Sequence, residues 1–264
     1  LWKQDAVARR CRLRGVSMVA RKGRLLDGET GTPFQEEEFS RSVEIPAEYR
    51  SRRFPAYYRV SGGRLKIAVS LAITRKRIDL QMGGHCYYPL KTPSSRTGCA
   101  ISVSAPFELN TDRSGLIDHV WNDWLIDQAV ALTIDLLTTD WFIRYGADAF
   151  KALIANGSTS PNRFTTEVAK RLKSDACWPT LAKGAAKFAL AKNIVLPTEE
   201  QYAGFLADEH YLDPALARDK DVCDLLMHCG AVRFTLGSLV RLRCAGEDSD
   251  GLATPPQDVS HYYF

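Results

Sequence analysis

Basic side chains are the groups in this 264-residue sequence whose placement best suits chemistry. Lys91-Thr92-Pro93-Ser94-Ser95-Arg96-Thr97-Gly98 reads as a loop, with one cation opening it and a second just before the Thr-Gly pair. An arginine on such a loop suits a phosphate group, because its planar fork can bind two oxygens at once. The competing reading is a solvated basic loop, since exposed cations are common. Arg113 lies in the turn Asn110-Thr111-Asp112-Arg113, where pairing with Asp112 or capping the next helix is the simpler role. A second basic group, Arg9, Arg10, Arg12 and Arg14, crowds the first residues, and Tyr57-Tyr58-Arg59 adds aromatic and basic character further on. Together they make a permissive signal for nucleic-acid binding. No RNP, zinc-finger or helix-turn-helix signature accompanies them.

The other reactive residue types are less organised. Seven cysteines, an odd number with no CxxC, do not make a disulfide framework. Reduced thiols in a cytosolic protein are the simplest account. Cys223, His228 and Cys229 cluster, and His85-Cys86 are adjacent. Structural zinc shows close pairs at two-to-four spacing, whereas Cys223 and Cys229 fall on different faces of a helix. No metal site is expected, and small buried hydrophobes are the ordinary reading. There is no GxSxG, and Asp208-Glu209-His210 are sequence neighbours that seldom face one another on a helix. Asp27-Gly28-Glu29-Thr30-Gly31 is superficially like a DxGxG nucleotide box, with Glu29 in place of its middle glycine.

Composition sets the frame for these groups. The chain is 45% hydrophobic and 25% charged, with a mean hydropathy of −0.22, as in a folded globular protein. No run of about 18 apolar residues marks a membrane span. The sequence opens Leu1-Trp2-Lys3 with no signal-peptide pattern, and reads as a fragment of something longer. Net charge is +4, but it is unevenly spread. Cations fill residues 1–24, and acids from Asp27 to Glu48 answer them. Such a dipolar start can steer a polyanion or can be two solvated faces.

Asp5 to Arg14 is compatible with a helix ended by Gly15. Residues 60–109 alternate apolar with small or polar positions and read as a sheet of three or four strands, covering Leu65–Ile73, Ile78–Met82, His85–Leu90 and Cys99–Leu109. The clearest element follows. Ile117, Val120, Trp121, Trp124, Leu125, Ala129, Leu132 and Leu136 have the three-and-four spacing of an amphipathic helix, with both tryptophans anchoring it on the sheet. Beyond residue 140 the chain reads as mostly helical, with helices at Phe150–Ile154, Asn162–Ser174 and Asp221–Cys229, a start at Pro197-Thr198-Glu199-Glu200, and a further stretch at Thr235–Leu242. Gly184–Ala191 is strand or helix, and Ala245–Phe264 is a loop. The fold expected is α+β: a small sheet backed by a long helix in residues 1–150, then an α-rich region in 151–264.

In order along the chain, several of these motifs resemble the region that follows the ATPase module in sacsin-like GHKL proteins. They are the "CYYPL" strand, the "SSRTG" loop, "ISVSAPFELNTDRSGL", the "WNDWLIDQAV" helix, and a later helical stretch with Leu196-Pro197, Leu225, Leu226, Gly230, Phe234, Thr235, Leu239 and Val240. The resemblance covers a little under half of the chain. It implies a transducer-like middle portion that couples ATP and Mg binding, in an N-terminal domain absent from this sequence, to a partner or effector. By the same resemblance Lys91, Arg96 and Arg113 would face the nucleotide. Arg96 and Lys91 would be catalytic cations reaching back to its γ-phosphate, while the fragment alone would not hydrolyse ATP. The implied partners are the ATPase domain of the same chain and a protein client or effector domain, in a cytoplasmic protein with a chaperone-like or anti-phage defence role. The alternative is a basic nucleic-acid- or protein-binding module without ATPase activity, centred on Arg9, Arg10, Arg12 and Arg14.

Overall fold

The computed structural model describes residues 6–9, 11–25, 32–50, 63–87, 91–111, 115–154, 162–196 and 210–233. The fold is α+β. Its centre is an eight-stranded mixed sheet of β1 (Ala6–Arg9), β2 (Val16–Leu25), β3 (Thr32–Glu44), β4 (Arg64–Thr74), β5 (Arg77–Ile78), β6 (His85–Tyr87), β7 (Lys91–Arg96) and β8 (Ile101–Ser104). The order across the sheet is β1-β2-β3-β4-β8-β6-β7, with β5 hydrogen-bonded to β4. All pairings are antiparallel except β6 with β8, which run parallel.

The sheet is larger than the alternating stretch of sequence predicts, and it begins earlier. Asp5–Arg14 is not a helix in its described residues. Ala6–Arg9 pairs with Met18–Arg21, and Gly15, at φ 75°, turns the chain between the two strands. A glycine in the left-handed region serves a hairpin as readily as a helix end, so its presence does not discriminate between them. β2 and β3 pair over ten positions, from Val16↔Arg41 to Leu25↔Thr32. That register sets the early cations against the acids that follow them. Arg21 lies opposite Glu36 and bonds Glu38 at 2.7 Å, so part of the charge dipole closes within a hairpin.

Lys91–Arg96 is the second departure. It is a strand paired with β6 through His85↔Arg96 and Tyr87↔Lys91, with a bulge between them, and not a loop. Its sequence includes Pro93, which only an edge strand tolerates. β7 is the last strand in the order, so the pairing is physically consistent. Two of the expected strands are shorter than the alternation: Ile78–Met82 contributes only Ile78, and Cys99–Leu109 only Ile101–Ser104, before Pro106.

Leu65, Ile67, Val69, Leu71 and Ile73 of β4 project to one side and are buried there with Phe39, Cys86, Ile101 and Val103. Among the helices, α1 (Ala47–Arg50) is a single turn after β3, and α2 (Val120–Leu136) covers that side of the sheet. Trp121 is 1% exposed and donates its indole N–H to the Pro106 carbonyl at 2.9 Å. Trp124 is only partly buried, and stacks on Trp121 at 5.1 Å. Buried Asn122 ties the helix start to the chain leaving the sheet, accepting from the Glu108 N–H and donating to the Glu108 and Ile117 carbonyls. Helix α2 continues through a π-helical turn, Leu137–Trp141, into α3 (Phe142–Tyr145) and then α4 (Ala147–Lys151). Helix α5 (Arg163–Ser174) packs along α2, and its N-cap Asn162 reaches the sheet edge at Arg96. Its amphipathic face buries Phe164, Val168 and Leu172.

The remaining described residues form short pieces. Trp178–Pro179 pairs with Phe188–Ala189, so the ambiguous Gly184–Ala191 stretch is a 3₁₀ turn followed by a two-residue strand. Val195–Leu196 pairs in parallel with Val232–Arg233. Helices α6 (Pro214–Ala217) and α7 (Lys220–His228) start at Asp213 and Asp219, whose carboxylates accept from the first free N–H groups. One cluster of buried side chains runs from Met18 to Ala231. No helix among the described residues is long and apolar enough to cross a membrane. The expected helices at Pro197–Glu200 and Thr235–Leu242, and the Asp27–Gly31 stretch, lie outside the described residues.

Candidate functional site

Arg96 closes β7 with its side chain exposed, and it forms no ion pair among the described residues. The chain beneath it is tightly fixed. Asn162, the N-cap of α5, accepts from the Thr165 N–H at 3.1 Å and donates its side-chain N–H to the Arg96 carbonyl. The next residue, Thr97, is fully buried, and its hydroxyl donates to the Ile101 carbonyl at 2.6 Å. The Thr97 N–H donates to the Gly84 carbonyl at 3.0 Å, and the Gly84 N–H to the Cys99 carbonyl at 2.7 Å. A Cβ on Gly84 would lie 1.8 Å from the Ile101 oxygen, so only glycine permits this approach. Gly98, at φ 81°, completes the turn against Asn162 and Thr165. The Ala100 N–H then donates to the Ala152 carbonyl at 3.0 Å. Arg96 is therefore a cation on a stiff footing at the sheet edge.

The other sequence candidates separate. Lys91 begins the same strand opposite Tyr87, and its side chain lies outside the description. Arg113 and Arg10 lie outside the described residues. Arg9, Arg12 and Arg14 are exposed on β1 and on the turn after it. β1 and β7 are opposite ends of the strand order, so the structure does not bring the two basic groups together. Arg9 approaches Glu37 at 3.9 Å.

Glu37 belongs to a cluster that the sequence does not announce. It is 1% exposed. Arg144 of α3 grips both of its oxygens at 2.7 and 2.6 Å, and the Tyr145 hydroxyl donates to it at 2.6 Å. Arg144 also bonds Asp140 in the π-helical turn at 3.1 Å. Burial opposes the charge on Arg144, but the bonds and field of Glu37 outweigh it and hold its pKa above the usual arginine range. Burial, then Glu37, pushes the Tyr145 phenol up as well. Glu38 points the other way, toward Arg21 and Lys66. Burial would raise its pKa, but Arg21 and then Lys66 bring it below the ordinary carboxylate value. The signal available in the sequence was only the run Glu36-Glu37-Glu38 beside Phe39, with partners about a hundred residues away.

A pocket of about 220 Å³ opens where the β4–β5 hairpin meets α3 and α4. Lys76, Arg77, Arg144, Tyr145, Asp148 and Asp219 line it. Arg77 holds Asp148 by two bonds of 2.8 Å, and Lys151 holds Asp219 at 3.2 Å.

The six cysteines in the described residues are free thiols. Burial pushes Cys86 and Cys177 up to about 12, and Cys99 and Cys229 up to about 11, so none of these four is an activated nucleophile. No group of three or more His, Cys, Asp or Glu among the described residues could hold a metal. Asp208 and Glu209 lie outside the description, and His210 Nδ1 lies 2.9 Å from the Asn193 carbonyl oxygen. No protein family, curated protein or solved structure matches the chain.

Proposed function

We propose that this chain is the transducer and helical portion of a sacsin-like GHKL ATPase, relaying nucleotide state from an ATP- and Mg-binding domain to a partner or effector. One observation carries the reading: Arg96 is an exposed cation, with no ion pair among the described residues, at a sheet edge pinned by Thr97, Gly84 and Asn162. A pre-placed cation stabilises the charge that develops on a transferred phosphoryl group, and it is more effective when no reorganisation is needed. The ordered resemblance through the "CYYPL", "SSRTG" and "WNDWLIDQAV" motifs supports the same assignment. Lys91 and Arg113 keep their roles toward the nucleotide as part of this proposal. So do the cytoplasmic setting and the chaperone-like or anti-phage role, between which the resemblance does not choose.

The test is ATP hydrolysis by the longer parent protein, with Arg96→Ala against wild type and nucleotide binding measured alongside. Turnover should fall by roughly a hundredfold or more while binding survives, the cost of removing one pre-organised donor. Unchanged turnover, or a parent without ATPase activity, overturns the reading. The second reading, a basic nucleic-acid- or protein-binding module, then moves ahead, because Arg12 and Arg14 are exposed with no ion pair among the described residues. It requires a salt-dependent affinity for DNA or RNA that is lost on neutralising Arg9, Arg10, Arg12 and Arg14.

A further inference from the structure

The register Thr74↔Arg77 and Ile73↔Ile78 leaves Arg75 and Lys76 as a two-residue hairpin turn. Both have positive φ, 51° and 67°, and they are the only non-glycine residues with positive φ in the described chain. A two-residue hairpin with both positions in this region is the type I′ turn, where Asn-Gly is the relaxed choice. Arginine and lysine are held there against their backbone preference. Such an outlier points toward function when it borders a cavity. Lys76 lines the 220 Å³ pocket described above.

The charge around that pocket is organised. Arg77 binds Asp148 through Nε and Nη2, which leaves Nη1 outside that pair. Arg144 is fixed by Glu37 and Asp140 through its two terminal nitrogens, which leaves Nε outside those bonds. The two carboxylates of the wall are each already bound by a cation, Asp148 by Arg77 and Asp219 by Lys151. Lys76 has no ion pair among the described residues. The wall thus holds two guanidinium groups fixed by carboxylates beside an uncompensated ammonium, with the Tyr145 ring as an apolar side. Counted over the lining itself, three cations face two carboxylates, and a small oxyanion would draw charge-assisted hydrogen bonds from the N–H groups left outside those pairs.

We propose that the pocket formed by Lys76, Arg77, Arg144 and Tyr145 binds a phosphate group, as free phosphate or as the phosphate of a monoester. The site stands apart from the Arg96 edge and does not depend on the ATPase reading.

Isothermal titration of the 264-residue chain with inorganic phosphate and with glycerol phosphate, at ionic strength matched by chloride, tests it. Wild type should bind at least one of the two at sub-millimolar concentration. Lys76→Ala should weaken that binding about tenfold or more, the scale of one lost charge-assisted bond. Arg75→Asn combined with Lys76→Gly should weaken binding to the same degree and raise the melting temperature, because it relaxes the turn while removing the Lys76 cation. Equal affinity for the two probes identifies free phosphate as sufficient, and a preference for glycerol phosphate identifies a phosphorylated molecule. No binding of either probe by wild type, or equal binding by wild type and both variants, overturns the proposal.

Discussion

Glu37 and Glu38 are adjacent on β3 and project to opposite faces of the sheet, so each answers to a different set of cations. Glu38 accepts from Arg21 at 2.7 Å and from Lys66 at 3.3 Å, and its folded pKa lies below the ordinary 4.5. A depressed carboxylate contributes stability that is fully present above its unfolded pKa and is lost as pH falls through the folded one. The midpoint of urea unfolding should therefore fall between pH 6 and pH 3, and fall less steeply for Glu38→Gln. Equal slopes for the two proteins would remove Glu38 from the account. Neither residue's burial is visible in the run Glu36-Glu37-Glu38, because a string of acids looks the same whether water or arginine neutralises it. Arg96 was legible as a candidate, since an arginine before Thr-Gly stands out by type. Its fixed footing was not, because Gly84 and Asn162 are brought to it only by the tertiary structure.

Elements governed by local periodicity were the readable ones. Helices α2, α5 and α7 fall within three residues of their apolar spacing; α5 and α7 turn one apolar face toward a neighbour, whereas α2 is buried against both the sheet and α5. Strand β7 was not readable. Lys-Thr-Pro-Ser-Ser-Arg has little strand propensity, and pairing with β6 overrides it. β1 was hidden for the converse reason: Ala6-Val7-Ala8-Arg9 is acceptable in a helix, and the decision rests with β2. The junction of β7 with α5 depends on one amide that caps the helix with its oxygen and donates to Arg96 with its nitrogen. Asn162→Asp keeps the cap but removes the donor and sets a carboxylate against a carbonyl. It should lower unfolding free energy by about 1–2 kcal/mol, the scale of a lost hydrogen bond with an unfavourable contact left behind. Chemical denaturation checks this, and a change of less than a few tenths would show that the amide bond to β7 is incidental.

Across the whole molecule, the Glu37–Arg144 contact joins the sheet to the helical layer through residues 107 positions apart. Glu37→Gln keeps the shape but leaves Arg144 only Asp140 as an anionic partner. A broken buried pair costs about 3–5 kcal/mol, and partial exposure of Arg144 reduces this to about 2 kcal/mol. The loss should appear in global unfolding, measured by far-UV and near-UV circular dichroism together, rather than as local fraying. Equal stability of wild type and variant would mean that the Glu37–Arg144 pair adds nothing to the apolar packing and the other ion pairs, such as Arg77–Asp148, that join the layers. The strand order carries a consequence of a different kind. β8 lies between β4 and β6, although β5, β6 and β7 come between β4 and β8 in the chain. The nascent polypeptide thus makes β6 and β7 before the strand that will connect them to β4 exists. Until β8 is inserted, the β1–β4 meander and the β6–β7 pair are separate pieces with open edges. Closing the sheet is then a late, long-range event in assembly, and the interval before it is when the chain is most exposed to mispairing with its neighbours.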